Sequence, residues 1–261
     1  MPRQVEVLGS QAAYPTLQQP CSGFLLTWDD WTAVLDLGYG TLQGLLVRIP
    51  DGRVNAIVIT HDHPDHWLDL HALFRLLLYG PQDNTKAKIA LYCTFGVVNK
   101  MRFLEPDVTL EDVFDISIME DRREFRTGQF QLIGFLLPHR VPNIGVRLSV
   151  LQRNATYEPI LAYTGDTGPT PTLEELGKGV RVYIMDSTDW QGEESKAVEE
   201  RKLLQSEEAG TFASAAGARM LLLTHFRPGN DREKSRELAK RSFGEDVLIA
   251  EPGLVVQLDL M

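Results

Sequence analysis

Apolar residues along this chain come in short blocks, most of them bounded by Gly, Pro or an acid. Such blocks read as strands: QVEVLG (4–9), GFLLTW (23–28), TAVLDLG (32–38), NAIVIT (55–60), KIALYC (88–93), FQLIGFLLP (130–138), IGVRLSVL (144–151), PILAYTG (159–165), RVYIMD (181–186), MLLLTH (220–225) and VLIA (247–250). Several are rich in β-branched or aromatic residues, as strand signals require. Helical periodicity is rarer. WLDLHALFRLLLYG (67–80) is long and strongly apolar, which predicts a helix packed on a sheet. Thr170 before Pro171 marks a second helix start, and PTLEELG stops on Gly177. SEEAGTFASAAG (206–217) carries acids in its first turn and closes on Gly217. DREKSRELAKRSFG (231–244) reads as an exposed, charge-laced helix. Strands come first, then strands alternate with helices. Two sheets packed between outer helices, in a single domain, is the expected architecture.

Charge narrows the partners. A net charge of −10 argues against broad binding of RNA or DNA, whose phosphates repel an acidic surface. It leaves room for a small anionic substrate drawn into a pocket by metal ions. Cys21 and Cys93 are the only cysteines, too few for a disulfide framework. No run approaches the ~18 apolar residues of a membrane span, and MPRQVEVLGS has no long apolar segment of the kind a secretion signal needs. A soluble cytoplasmic protein with no membrane partner is the expectation.

The chemistry concentrates in one loop. Thr60 to Trp67 reads THDHPDHW, directly after the strand block NAIVIT, and holds three of the chain's six histidines. At an extended strand end, side chains two apart point the same way. His61 and His63 can therefore reach one metal ion together, while Asp62 points away. Pro64 starts a turn, and Asp65 and His66 follow at the mouth of the next helix, aimed elsewhere. Two ligands for one ion and two for another is the natural reading. Imidazole with carboxylate suits zinc, with manganese or iron as alternatives. Further ligand types stand just past strand blocks: His139 after LIGFLLP, Asp166 after LAYTG, His225 after LLLT. His71 sits inside the apolar helix and reads as a packing or surface residue.

THDHPDH matches the HxHxDH motif of the metallo-β-lactamase superfamily. His139, Asp166 and His225 fall where that superfamily has its remaining ligands, and the chain resembles it over nearly its whole length. The resemblance implies an α/β (α+β) fold, a four-layer αββα sandwich forming one domain over residues 1–261, with a dinuclear site on one edge. It implies that His61, His63 and His139 hold the first metal, that Asp65, His66 and His225 hold the second, and that Asp166 bridges them. Two Zn²⁺ ions, or Mn²⁺ or Fe in their place, are the implied cofactor. In finer detail the chain is similar to the tRNase Z-like phosphodiesterase branch, which includes bacterial cyclic-nucleotide phosphodiesterases. VLGSQAAYP (7–15), SGFLLTWDDWTAVLDLGYGTLQGL (22–45), PHRVPNIGVRL (138–148), YTGDTG (163–168) and LLQSEEAGTFASAAGARMLLLTHFRPG (203–229) look like that branch's blocks, the second of them its N-terminal hairpin and first helix.

Two departures bear on substrate. The branch has a His-Glu-Ala-Thr block where this chain has MDST (185–188), with Asp186 at the acid's position. The histidine that normally pairs with that acid is replaced by Leu203, so the relay thought to protonate the leaving group is missing. Only 27 positions separate His139 from Asp166, enough for two strands and a turn but not for a long tRNA-gripping arm. With the negative charge, this weighs against tRNA.

Two metals ~3.5–4 Å apart can hold a hydroxide as nucleophile and clamp a substrate oxygen. Asp65, besides binding metal, can orient that hydroxide or take its proton. Asp186 can orient a metal-bound histidine or cap a loop. Trp190 can stack on a base or plug a loop, and Arg140 can meet a phosphate or a surface acid. The expected function is a metal-dependent hydrolase of a small phosphodiester, such as a cyclic nucleotide, by attack of metal-bound hydroxide. The alternative is a thioesterase, lactonase or glyoxalase II-type enzyme of the same superfamily, acting on a small ester. A homodimer is expected by analogy.

Overall fold

The computed structural model describes residues 2–80, 87–189, 192, 195–244 and 246–259. It divides into two compact units, Met1–Met119 with Glu251–Met261, and Glu120–Ala250. The first runs β1 (Arg3–Gly9), β2 (Gly23–Trp28), β3 (Trp31–Leu37), α1 (Thr41–Arg48), β4 (Ala56–Ile59), α2 (Pro64–Tyr79), β5 (Ile89–Cys93), α3 (Phe95–Leu104) and β6 (Phe114–Ile118). The second runs β7 (Glu124–Thr127), β8 (Phe130–Leu137), β9 (Asn143–Leu151), β10 (Tyr157–Tyr163), α4 (Thr172–Leu176), β11 (Val182–Asp186), α5 (Ser206–Ala216), β12 (Met220–Thr224), α6 (Arg232–Phe243) and β13 (Val247–Ile249). The chain then returns to the first unit as β14 (Val255–Gln257).

Among the described residues each unit holds one seven-stranded sheet, ordered β14-β1-β2-β3-β4-β5-β6 in the first and β13-β12-β11-β10-β9-β8-β7 in the second. The two sheets follow the same plan. In the first, β1, β2 and β3 form an antiparallel meander, and β4, β5 and β6 then add in parallel. In the second, β7 to β10 form the meander and β11, β12 and β13 add in parallel. Parallel strands need a crossover, usually a helix. α2 links β4 to β5, α5 links β11 to β12, and α6 links β12 to β13. The carboxyl ends of these parallel strands, where open α/β sheets carry their sites, are therefore joined to helix N-termini.

α2 shows why the sequence folds this way. Pro64 occupies its first turn, where the missing N–H costs nothing, and His63 is the extended N-cap residue ahead of it. Trp67, Leu70, Leu73, Phe74 and Leu77 recur at helical spacing and are all buried in the first unit's core, against residues of β3, β4 and β5. Burial of five such side chains contributes roughly 10 kcal/mol before chain entropy is counted. α5 is held by a reciprocal Gln205–Glu208 capping box and ends at Gly217, whose φ of 68° is left-handed and favours glycine. Its Ala209 and Ala213 pack in the second unit's core beside Tyr183, Leu221 and Leu223.

Every strand block expected from the sequence is a strand, to within a few residues at its ends. α2 begins at Pro64 rather than Trp67, so Asp65 and His66 lie inside its first turn. α4 begins at Thr172, with Pro171 as its N-cap. β6, β7 and β14 are additional short strands, all three at sheet edges and each with a charged or polar residue in it. α3 is additional too; its FGVVNKMRFL has a glycine and a Val-Val pair that weaken a helical reading.

Candidate metal centre

In the first unit the strand-end loop is built around a buried carboxylate, Asp36, at the end of β3. Asp36 has a left-handed φ of 54°, an uncommon conformation outside glycine that clusters at functional sites. Its carboxylate accepts the Thr60 amide (2.8 Å), the Thr60 hydroxyl (2.9 Å) and His66 Nδ1–H (2.7 Å). A carboxylate can only accept, so the proton of His66 is held at Nδ1 and its Nε2 is left as a lone-pair donor. That Nε2 lies 3.7 Å from Asp65 Oδ2. His61 and His63 meet ring nitrogen to ring nitrogen, Nε2 to Nδ1, at 3.2 Å, and the His61 and His66 rings lie 4.1 Å apart. Asp62 turns away, as strand alternation requires, and pairs with Lys100 at 2.8 Å.

Asp65 is gripped from outside its helix. Ala13 donates its amide to Asp65 Oδ2 at 2.7 Å from a backbone with φ 65°. Gly38 packs so closely on this loop that a Cβ there would lie 1.8 Å from the Asp65 carbonyl oxygen. Glycine is the residue that permits such an approach.

In the second unit three strand ends supply the polar groups. His139 follows β8; its Nδ1–H donates to the Lys202 carbonyl at 3.0 Å, and its Nε2 faces Asp166 Oδ2 at 3.6 Å. Asp166 follows β10 and is braced by Asn143, which donates to the carbonyls of Thr164 (2.9 Å) and Asp166 (2.7 Å). His225 follows β12 with φ 60°, and its Nε2 lies 3.2 Å from Asp166 Oδ1. Asp166 thus turns one oxygen to each histidine. Asp186, at the end of β11, is fully buried. It accepts from the amides of Thr167 (3.1 Å) and Thr188 (2.9 Å) and from the Thr188 hydroxyl (2.5 Å). It caps its loop and, through Thr188, reaches His225. Asp166, Asp186 and His225 offer ligand atoms within 4.8 Å of one another.

This donor chemistry fits divalent metal. A histidine Nε2 lone pair facing a carboxylate oxygen at 3.2–3.7 Å is repelled unless a cation lies between them. Ligand atoms ~2.0–2.1 Å from a tetrahedral zinc stand about 3.3 Å apart, close to the shortest of these separations.

The match to the β-lactamase superfamily domain spans residues 33–226, which takes in both clusters. The chain belongs to the metallo-β-lactamase superfamily. A metallo-β-lactamase-fold protein of Bacillus subtilis, YhfI, superposes with a TM-score of 0.83 at 22% identity, over 98% of this chain and 100% of that one. An uncharacterised protein of Mycobacterium tuberculosis is 31% identical, over 92% of this chain and 86% of its own. A ribonuclease Z of Myxococcus xanthus is 28% identical over 97% of each. The superfamily member described here is a hydrolytic enzyme of the metallo-β-lactamase fold, and the tRNase Z-like resemblance read from its motifs holds.

The remaining expected residues fall outside the two clusters. His71 Nε2 lies 2.6 Å from Glu105 Oε1, which also takes Arg75. Arg140 is exposed. Leu203, just ahead of α5, is buried and brings no titratable group. Trp190 lies outside the described residues. Sequence reasoning missed Asp36, Thr60, Thr188 and Ala13. Asp36 had a signal, an acid inside a mostly apolar strand block and two positions before its glycine. The two threonines and Ala13 had none, because their roles depend on partners brought near by folding.

Proposed function

We propose that this enzyme is a dinuclear metal-dependent phosphodiesterase acting on small phosphodiesters, cyclic nucleotides among them. Asp166 carries the reading: one carboxylate presents separate oxygens to the Nε2 atoms of two histidines whose ring protons sit on Nδ1, the arrangement a bridging ligand needs. In this reading His61, His63 and His139 hold one ion and Asp65, His66 and His225 the other. The family match runs through residues of both units. Zinc suits this donor set best, with manganese or iron as alternatives. Such an ion pair supplies a nucleophile at neutral pH and neutralises charge on a phosphoryl group.

The chain's own residues do the rest. His66, His225 and His139 are pinned through Nδ1 and keep Nε2 aimed inward. Asp65 Oδ2 accepts the Ala13 amide, which orients a carboxylate able to bind metal or to take a proton from water. Asp186, with its oxygens on Thr188 and on backbone amides, anchors rather than touches substrate.

The test is turnover of bis(p-nitrophenyl) phosphate and cyclic AMP by zinc- or manganese-loaded protein, with Asp166→Asn as control. Turnover by the wild type alone is expected. Inert phosphodiesters together with hydrolysis of an acyl-CoA or a lactone would move the enzyme to the thioesterase or lactonase class. A second reading is tRNA processing. The sequence weighed against it, but the kinship with a ribonuclease Z gives that exclusion no support. Cleavage of a precursor tRNA outpacing that of the small diesters would establish it. Among the described residues no helix is long and apolar enough to cross a membrane. Cytoplasmic location and a homodimer belong to the same proposal and are checked by fractionation and by light scattering.

A further inference from the structure

The two units contain the same three-residue device. In the first, the Thr60 hydroxyl lies 2.9 Å from Asp36 Oδ2 and 3.1 Å from His61 Nδ1. In the second, the Thr188 hydroxyl lies 2.5 Å from Asp186 Oδ1 and 2.8 Å from His225 Nδ1. All six residues are buried. A hydroxyl has one proton, and a carboxylate cannot supply another. Each threonine must therefore donate to its aspartate and accept from its histidine. The histidine proton is then confined to Nδ1 and the lone pair to Nε2. Asp186 Oδ1 is 3.7 Å from His225 Nδ1, too far for a direct hydrogen bond, so the hydroxyl fills a gap the carboxylate does not span.

We propose that Thr60 and Thr188 are matched positioning residues, hydroxyl relays that fix the tautomer of His61 and of His225 so that Nε2 of each is presented to metal. The carboxylates act through them. The missing relay histidine at Leu203 fits this picture: Asp186, whose family counterpart pairs with a histidine, is here spent on holding a ligand. The inference rests on the dinuclear reading only in assigning His61 and His225 to different ions. A hydroxyl serving packing alone would be replaced without chemical effect by the isosteric valine.

The experiment uses the full chain and two readouts that need no turnover. Nitrogen–proton correlation spectra of the histidine rings are recorded on metal-free protein at a fixed pH of about 8. The wild type is expected to show the Nδ1–H tautomer at His61 and His225. Thr60→Val is expected to lose it at His61 alone and Thr188→Val at His225 alone, while Thr60→Ser and Thr188→Ser keep it. Zinc affinity is measured by competition with a chromophoric chelator. Each valine variant is expected to weaken one of the bound ions about 10-fold, the lower end of the usual range for such supporting groups, and each serine variant to restore it. Nε2–H at either histidine in the wild type overturns the proposal even if a valine variant fails to fold. So do valine variants that match the wild type in both readouts. Absence of phosphodiester turnover touches neither readout, so failure of the enzymatic reading remains separable from failure of this one.

Discussion

The two units assemble their candidate metal-binding residues with different economies of chain. The first packs His61, His63, Asp65 and His66 into six consecutive residues, a strand end running into the first turn of α2. The second gathers His139, Asp166 and His225 from the ends of β8, β10 and β12, with 86 positions between first and last. A local cluster is held by one loop and can shift as a body. A scattered cluster is held by sheet register, and each side chain is locked separately: His139 by the Lys202 carbonyl, Asp166 by Asn143, His225 by Thr188. The scattered set is therefore the less forgiving. It also contains Asp166, which faces two histidines at once.

The sharpest way to break this contrast is to remove one ligand from each side. Asp166→Asn is expected to lower kcat/KM on bis(p-nitrophenyl) phosphate by about 10³-fold, the scale of losing a group that organises charge at a reacting centre. His63→Ala, from the dense loop with three candidate ligands left beside it, is expected to cost about 10-fold less. Equal losses would show that the loop is as intolerant as the strand ends.

Next come the anchoring carboxylates. Asp36→Asn replaces an acceptor-only group with one whose amide meets the donors of Thr60 or His66. A loss of about 2–3 kcal/mol in unfolding free energy is expected, as for a buried charged hydrogen-bond hub. Asp186→Asn is expected to match it. Asp62→Asn, one residue from His61 but paired with a half-exposed Lys100, is expected to change stability by less than about 0.5 kcal/mol. Urea denaturation of the three variants orders them, and an Asp62 effect as large as the Asp36 one would contradict the assignment of roles.

Ala13→Gly is a smaller and opposite effect. Ala13 holds φ 65° in order to donate to Asp65, and glycine adopts that conformation without strain. A gain of roughly 0.5–1 kcal/mol is expected, with the amide bond and activity retained. The smallest signal is a silence. Burial pushes the Cys93 thiol up to about 12, and burial, with Asp65 and Asp69 nearby, raises Cys21 further. Both groups are neutral thiols across the working pH range, and the thiolate is the reactive form. Native protein is expected to show no fast reaction with a thiol reagent at pH 8, and two equivalents after unfolding.

Much of this was written in local order. The strand blocks, the apolar stripe of α2 and the crowding of HDHPDH depend on neighbours within a turn or two, so periodicity and residue type suffice to see them. Each candidate after a strand, His139, Asp166 and His225, was visible as a residue in a suggestive place. That Asp166 would turn a separate oxygen to each histidine was not visible, because it depends on how β8, β9 and β10 register and on Asn143 reaching across. Thr60, Thr188 and Ala13 were invisible for the same reason. A threonine is an ordinary strand-end residue until folding sets a carboxylate on one side of its hydroxyl and an imidazole on the other. Composition and spacing thus determined which chemistry the chain could perform. Tertiary structure alone decided which ring nitrogen of His66 and His139 carries the proton, since hydrogen-bond direction is a property of partners that meet only in the fold.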